Sequence, residues 1–95
     1  MTIGWARFRL SIAGVGSLKA KRRVVKSLKD RLRNRFNISV SEVDEQDVWQ
    51  TAVLGVVSVG PDTAYIQGQL EAVVRFVDED RDVQILDCRT ECMVV

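Results

Sequence analysis

Over Ile3–Ile12 the chain alternates: Gly4, Ala6, Phe8, Leu10 and Ile12 share one face, and Ile3, Trp5, Arg7, Arg9 and Ser11 the other. A two-residue period with one apolar face predicts a strand. Ala13-Gly14-Val15-Gly16-Ser17 interrupts it with two glycines, and Ser17 is placed to cap whatever follows. From Leu18 the period becomes helical, with Val24, Val25, Leu28, Leu32 and Phe36 on one arc, and the helix is expected to stop near Phe36–Asn37.

Ile38, Val40 and Val43 mark a second strand, and the three-residue step from Val40 to Val43 predicts a bulge or bend. Glu42 to Asp47 form an acidic connection. A third strand is expected over Trp49–Val59, apolar on both faces. Gly60-Pro61-Asp62-Thr63 opens a second helix whose seam is Ile66, Leu70, Val73 and Val77, with Gly68 expected to permit close packing. A last strand runs from Val83 to about Val94. The order β-α-β-β-α-β predicts an α+β, ferredoxin-like fold: one domain over residues 1–95, with a four-stranded antiparallel sheet and both helices on one face.

Charge changes the picture. Residues 1–35 hold eleven Lys/Arg against Asp30 alone, whereas residues 36–95 hold three Arg against twelve Asp/Glu, so a formal net charge of only +1 conceals a strong polarity. A polyanion is the natural ligand class for the basic part. Lys19, Arg22, Lys26, Lys29 and Arg33 recur at a 3-4-3-4 spacing on the arc away from Val24, Leu28 and Leu32, forming a stripe about 21 Å long. Lys19, Lys21, Arg22 and Arg23 crowd the first turns, where the helix dipole is already positive and each cation costs about 0.3–1 kcal/mol at low salt. An anion held by these side chains and by the backbone at Gly16 and Ser17, with Gly14 allowing a sharp turn, would reverse that cost. A solvated charged face, or self-association of the basic helix with the acidic connection of another copy, is the competing reading.

On the first strand, Trp5 flanked by Arg7 and Arg9 could stack on bases. The third strand, WQTAVLGVVSVG, lacks the aromatics of an RNA-recognition motif, however. Trp5, Val53 and Val57 are instead expected to form an open apolar sheet face that could serve as a homodimer or partner interface. Histidine is absent, which excludes Ser-His-Asp and Cys-His arrangements. Cys88 and Cys92 without two further soft ligands do not make a zinc site, and they read as buried or half-buried free thiols. AGVGSLKAKR faintly resembles the phosphate loop of acylphosphatases, but the arginine of that loop is missing from the matching place. No catalytic residue, metal or cofactor is expected. Apolar runs too short to span a bilayer and an N-terminus unlike a signal peptide make the cytoplasm the expected location.

The stretches SLKAKR, RNRFNISVSEVD and QDVWQ resemble the YlxP-like family of small bacterial proteins of unknown function. The matching residues are Ser17, Leu18, Lys19, Lys21, Arg22, Arg33, Asn34, Phe36, Asn37, Ser39, Glu42, Asp44, Gln46, Asp47 and Trp49. The resemblance covers nearly the whole chain and implies a ferredoxin-like fold. Genes of this type often neighbour those of translation and ribosome maturation factors, which makes ribosomal RNA the implied polyanion. The expectation is therefore a non-catalytic RNA-binding accessory protein, acting in ribosome maturation. Lys19, Lys21, Arg22, Arg23, Lys26, Lys29 and Arg33 would meet phosphates, aided by Gly16 and Ser17. The alternative is a protein–protein module or homodimer assembled through the open sheet face.

Overall fold

The computed structural model describes residues 1–95. It has the expected order: β1 (Thr2–Ile12), α1 (Leu18–Arg35), β2 (Ser39–Asp44), β3 (Thr51–Gly60), α2 (Thr63–Asp78) and β4 (Val83–Val94). All pairings are antiparallel, in the sheet order β2-β3-β1-β4, which is the ferredoxin-like topology. The alternation in β1 sets the layers. Ala6, Phe8 and Leu10, opposite Val56, Leu54 and Ala52 of β3, are buried beneath the helices, and α1 contributes Val25, Leu28 and Leu32. The α2 seam is the expected one, Ile66, Leu70, Val73 and Val77. α1 packs on the β2 side of the sheet, and α2 on the β1–β4 side.

Both helices start on side-chain caps. The Ser17 hydroxyl accepts the Ala20 N–H at 3.1 Å, and the Asp62 carboxylate accepts the Tyr65 N–H at 2.8 Å. α1 ends at Phe36, whose ring meets Phe76 of α2 edge-on, with centroids 5.7 Å apart. Gly14 makes the turn out of β1 at φ +67°. The predicted bulge is present, with the β2 register shifting between Glu42 and Asp44 and the intervening Val43 lying over Gly55. Two expectations shift. β3 begins at Thr51, leaving Trp49 in the connection. Gly68 has nothing within 4 Å of where a Cβ would sit; the close approach is at Gly4, where a Cβ would run into Ile66 and Leu70.

These two glycines should respond in opposite directions. Gly4→Ala should destabilise by about 1–3 kcal/mol through overpacking against α2. Gly68→Ala should stabilise by about 0.5–1 kcal/mol, because it removes a flexible residue from an exposed helix interior. Urea unfolding midpoints of the two variants and the parent check both signs.

Candidate functional site

The outer face of α1 carries the positive charge. Lys19, Arg22, Arg23, Lys26 and Arg33 are exposed and Lys29 is partly so. Asp30 is the one acid among them. It pairs with Lys26 at 2.8 Å and Arg33 at 3.4 Å, and the Lys26 hydrogen bond holds its carboxyl below the usual carboxylate range. Arg33 also donates to the Val40 carbonyl at 2.9 Å, which leans it toward the β2 edge. Arg31 is taken by Asp80 at 2.8 Å. Lys19, Arg22, Arg23 and Lys29 have no acidic partner. A shallow hollow of about 360 Å³ lies on this face, lined by Arg23, Lys26, Ser27, Asp30 and Arg31. No acid stands in the first turn of the helix. The Ser17 cap satisfies the Ala20 amide and the Ser17 carbonyl accepts the Lys21 amide, which leaves the Leu18 and Lys19 amides of that turn for solvent or an anion.

Lys21 does not belong to this surface. Its side chain is fully buried, and its ammonium lies 2.6 Å from Val48 O, 2.7 Å from Glu45 O and 2.8 Å from Glu42 Oε2, with Gln46 O at 3.5 Å. Its three protons are met by the Val48 and Glu45 carbonyls and, more loosely, by that of Gln46, so none remains for a phosphate. Glu42 Oε2 is buried and has this ammonium as its partner, off the line of a good hydrogen bond, so the pairing is chiefly ionic. The signal was present in the chain: on a helical wheel Lys21 falls between Leu28 and Leu32, on the core side. Its place among other cations hid it. Part of the acidic connection is thus consumed within the chain, by Lys21 through Glu42 and by Arg9 through Glu45.

Arg9 grips Glu45 with two hydrogen bonds, at 3.0 and 3.1 Å, and Thr51 donates to the same carboxylate at 3.2 Å. The Arg9 bond is the largest influence holding the Glu45 carboxyl below its usual range. Glu45 itself is left-handed, at φ 55°. Its amide is capped by Asp44 Oδ1 at 2.8 Å, and its carbonyl also accepts the Val48 N–H at 3.1 Å.

The open sheet face is smaller than expected. Val53 lies between Arg9 of β1 and Asp44 of β2, so the Arg9–Glu45 pair passes over it, and it is only 8% exposed. It is therefore not part of an accessible interface. Trp5 is half-buried with the Arg89 guanidinium 5.9 Å from its ring, and Val57, Val59 and Met93 stand exposed around it. Of the two free thiols, Cys92 is half-buried as expected but Cys88 is exposed. No helix is long and apolar enough to cross a membrane.

Residues 3–90 match the family described as "Protein of unknown function (DUF503)". The chain is also 36% identical over 89 residues to the "Uncharacterized protein YlxP" of Bacillus subtilis (strain 168), covering 94% of this chain and 97% of that one.

Two outcomes follow from the buried lysine and its loop. Lys21→Met should cost about 3–5 kcal/mol, since it strands Glu42 and two backbone carbonyls, and adding Glu42→Leu should recover part of the loss in urea unfolding. Glu45 is more acidic folded than unfolded, so its contribution to stability is present at neutral pH and disappears as pH falls through its lowered folded value. Carboxyl titration by NMR should find Glu45 below the normal glutamate range in the parent and close to it in Arg9→Gln.

Proposed function

The chain belongs to this family of proteins of unknown function, and we propose that it binds the phosphate backbone of RNA along the outer face of α1 as a non-catalytic accessory protein. The observation that carries this reading is the unpaired, one-signed set Lys19, Arg22, Arg23 and Lys29, together with the lightly paired Lys26, with Lys19, Arg22 and Arg23 crowding the positive end of the helix dipole. Stability alone disfavours that placement, and a bound anion removes the penalty. The Leu18 and Lys19 amides extend the same surface toward the N-terminal end of the helix, and Arg33 extends it toward the β2 edge.

Lys and Arg heads spaced along a helix meet a run of phosphates without reading base edges, so binding should be tolerant of sequence and sensitive to RNA shape. Ribosomal RNA, abundant and densely charged, is the member of that class that the family resemblance favours.

Affinity for RNA should fall steeply with salt, with a log–log slope of about −3 to −5 for four to six phosphate contacts. Replacing Arg22 and Lys29 by Gln should weaken all RNAs alike and flatten that slope by between about one and two units. Lys21→Gln should lower the unfolding midpoint, yet leave affinity unchanged under conditions where it is folded. Fluorescence anisotropy across a salt series reads all three. Salt-insensitive binding, or full affinity in the double variant, would falsify the reading.

A further inference from the structure

The two edges of the sheet are finished differently. β2 is six residues long, bulged between Glu42 and Asp44, and its outward Val40 carbonyl is already occupied by Arg33. β4 is twelve residues long, contains no proline, and from Asp87 to Val94 pairs with β1 in unbroken register, its one irregularity lying at Leu86. The hydrogen-bond phase tells which of its backbone groups are free. The Val95 N–H donates to Met1 O at 2.9 Å and the Met1 amine donates to Val95 O at 3.0 Å, so these two residues form a hydrogen-bonded pair. Such pairs alternate along an antiparallel ladder. Asp87, Arg89, Glu91 and Met93 therefore turn their N–H and C=O toward β1, while Cys88, Thr90, Cys92 and Val94 turn theirs outward. A bare row of this kind is a template for one more strand.

We propose that β4 pairs antiparallel with β4 of a second copy of this chain, with Thr90 opposite Thr90 at a two-fold axis, joining two sheets into one of eight strands. The order of charges selects both the occupant and the register. With Thr90 at the centre, Arg89 faces the partner's Glu91 and Glu91 faces the partner's Arg89, each in a non-hydrogen-bonded pair, where side chains come closest. Leu86 faces the partner's Val94, and Cys88 faces the partner's Cys92. The outward phase permits only registers two residues apart. One neighbouring register puts Arg89 against Arg89 and Glu91 against Asp87, and the other puts Glu91 against Glu91.

The axis stands perpendicular to the sheet, so both pairs of helices share one face, and α1, packed on the β2 side, stays open at each far end. On the helical side of β4, α2 leaves an open groove of about 570 Å³, lined by Leu70, Glu71, Val74, Arg75, Thr90 and Cys92 among others. That groove gives the partner strand room to approach.

The cysteines supply the test. Cys88 and the partner's Cys92 would be a hydrogen-bonded pair with Cα atoms about 5.5 Å apart, on one face of the sheet and wider at Cβ than a direct disulfide accepts, but within reach of a short thiol cross-linker. With a short bis-alkylating thiol reagent such as dibromobimane, Cys88→Ser alone and Cys92→Ser alone should stay monomeric on denaturing gels, while an equal mixture of the two gives a covalent heterodimer. Self-cross-linking of either variant as efficient as in the mixture, or no cross-link in the mixture, overturns the register. Sedimentation of the reduced protein should show a concentration-dependent dimer. Arg89→Glu should weaken it at least about ten-fold, and Arg89→Glu with Glu91→Arg should restore it. A chain that is monomeric up to about 1 mM, or a double variant as weak as the single, overturns the pairing. So does a dimer abolished by Val57→Asp, which would assign assembly to the open sheet face.

Discussion

The fully buried ammonium of Lys21 is the contact on which the rest of the candidate site depends. A charge taken out of water is tolerated only when its protons find acceptors and its charge finds a partner, and here three carbonyls take the protons and the Glu42 carboxylate answers the charge. Satisfying it decides the path of the connection between β2 and β3, because Glu45 and Val48 must present their carbonyls toward the first turn of α1. The left-handed conformation of Glu45 is part of that path. Its cost, of the order of 1–3 kcal/mol, is offset by the use of its amide, carbonyl and carboxylate at once. Arg9 holds the same loop from the other side of the sheet. The loop is thus clamped between a cation from each layer, and the start of α1 is fastened to the sheet with its remaining cations turned outward.

Two kinds of positive charge are therefore mixed within one segment. Lys21, Arg9 and Arg31 each neutralise a carboxylate from a distant part of the chain, and so hold the fold together. Lys19, Arg22, Arg23 and Lys29 form no ion pair within the molecule. The polarity between a basic first third and an acidic remainder serves both purposes: enough opposite charge is brought across to stitch α1 and β1 to the rest, and the surplus is left on one helical face. Five exposed cations near one another, with Asp30 as the sole local acid, repel by a few tenths of a kcal/mol per close pair. Phosphates are the ligands that would turn this cost into affinity, and their attraction would be strongest where no intramolecular acid competes.

The sheet divides its surfaces in a complementary way. α1 and the short, bulged β2 close one edge, and Arg33 occupies the carbonyl left there. The opposite edge is long, regular and bare, and the open face between them is partly covered by the Arg9–Glu45 pair and by Arg89 over Trp5. Polyanion binding at one edge and strand pairing at the other would not compete for the same residues.

Local periodicity determined the elements, their order and the core, because alternation in Ile3–Ile12 and the helical spacing of Leu28 and Leu32 or of Ile66, Leu70, Val73 and Val77 each admit one buried face. Even the β2 bulge was legible, since the step from Val40 to Val43 breaks a two-residue period. The fate of individual charges was not. Lys21 and Arg22 are adjacent and of one sign, yet one is entombed and the other solvated; the difference lies in Glu42 and the carbonyls of Glu45 and Val48, more than twenty residues away. Val53 is hidden only because Arg9 and Glu45 meet across it, and Gly4 rather than Gly68 receives α2 because the helix crosses the sheet there. Burial patterns repeat locally and can be read along the chain. Pairings of charge and close backbone approaches join residues that are neighbours only after folding, so tertiary structure alone decides them.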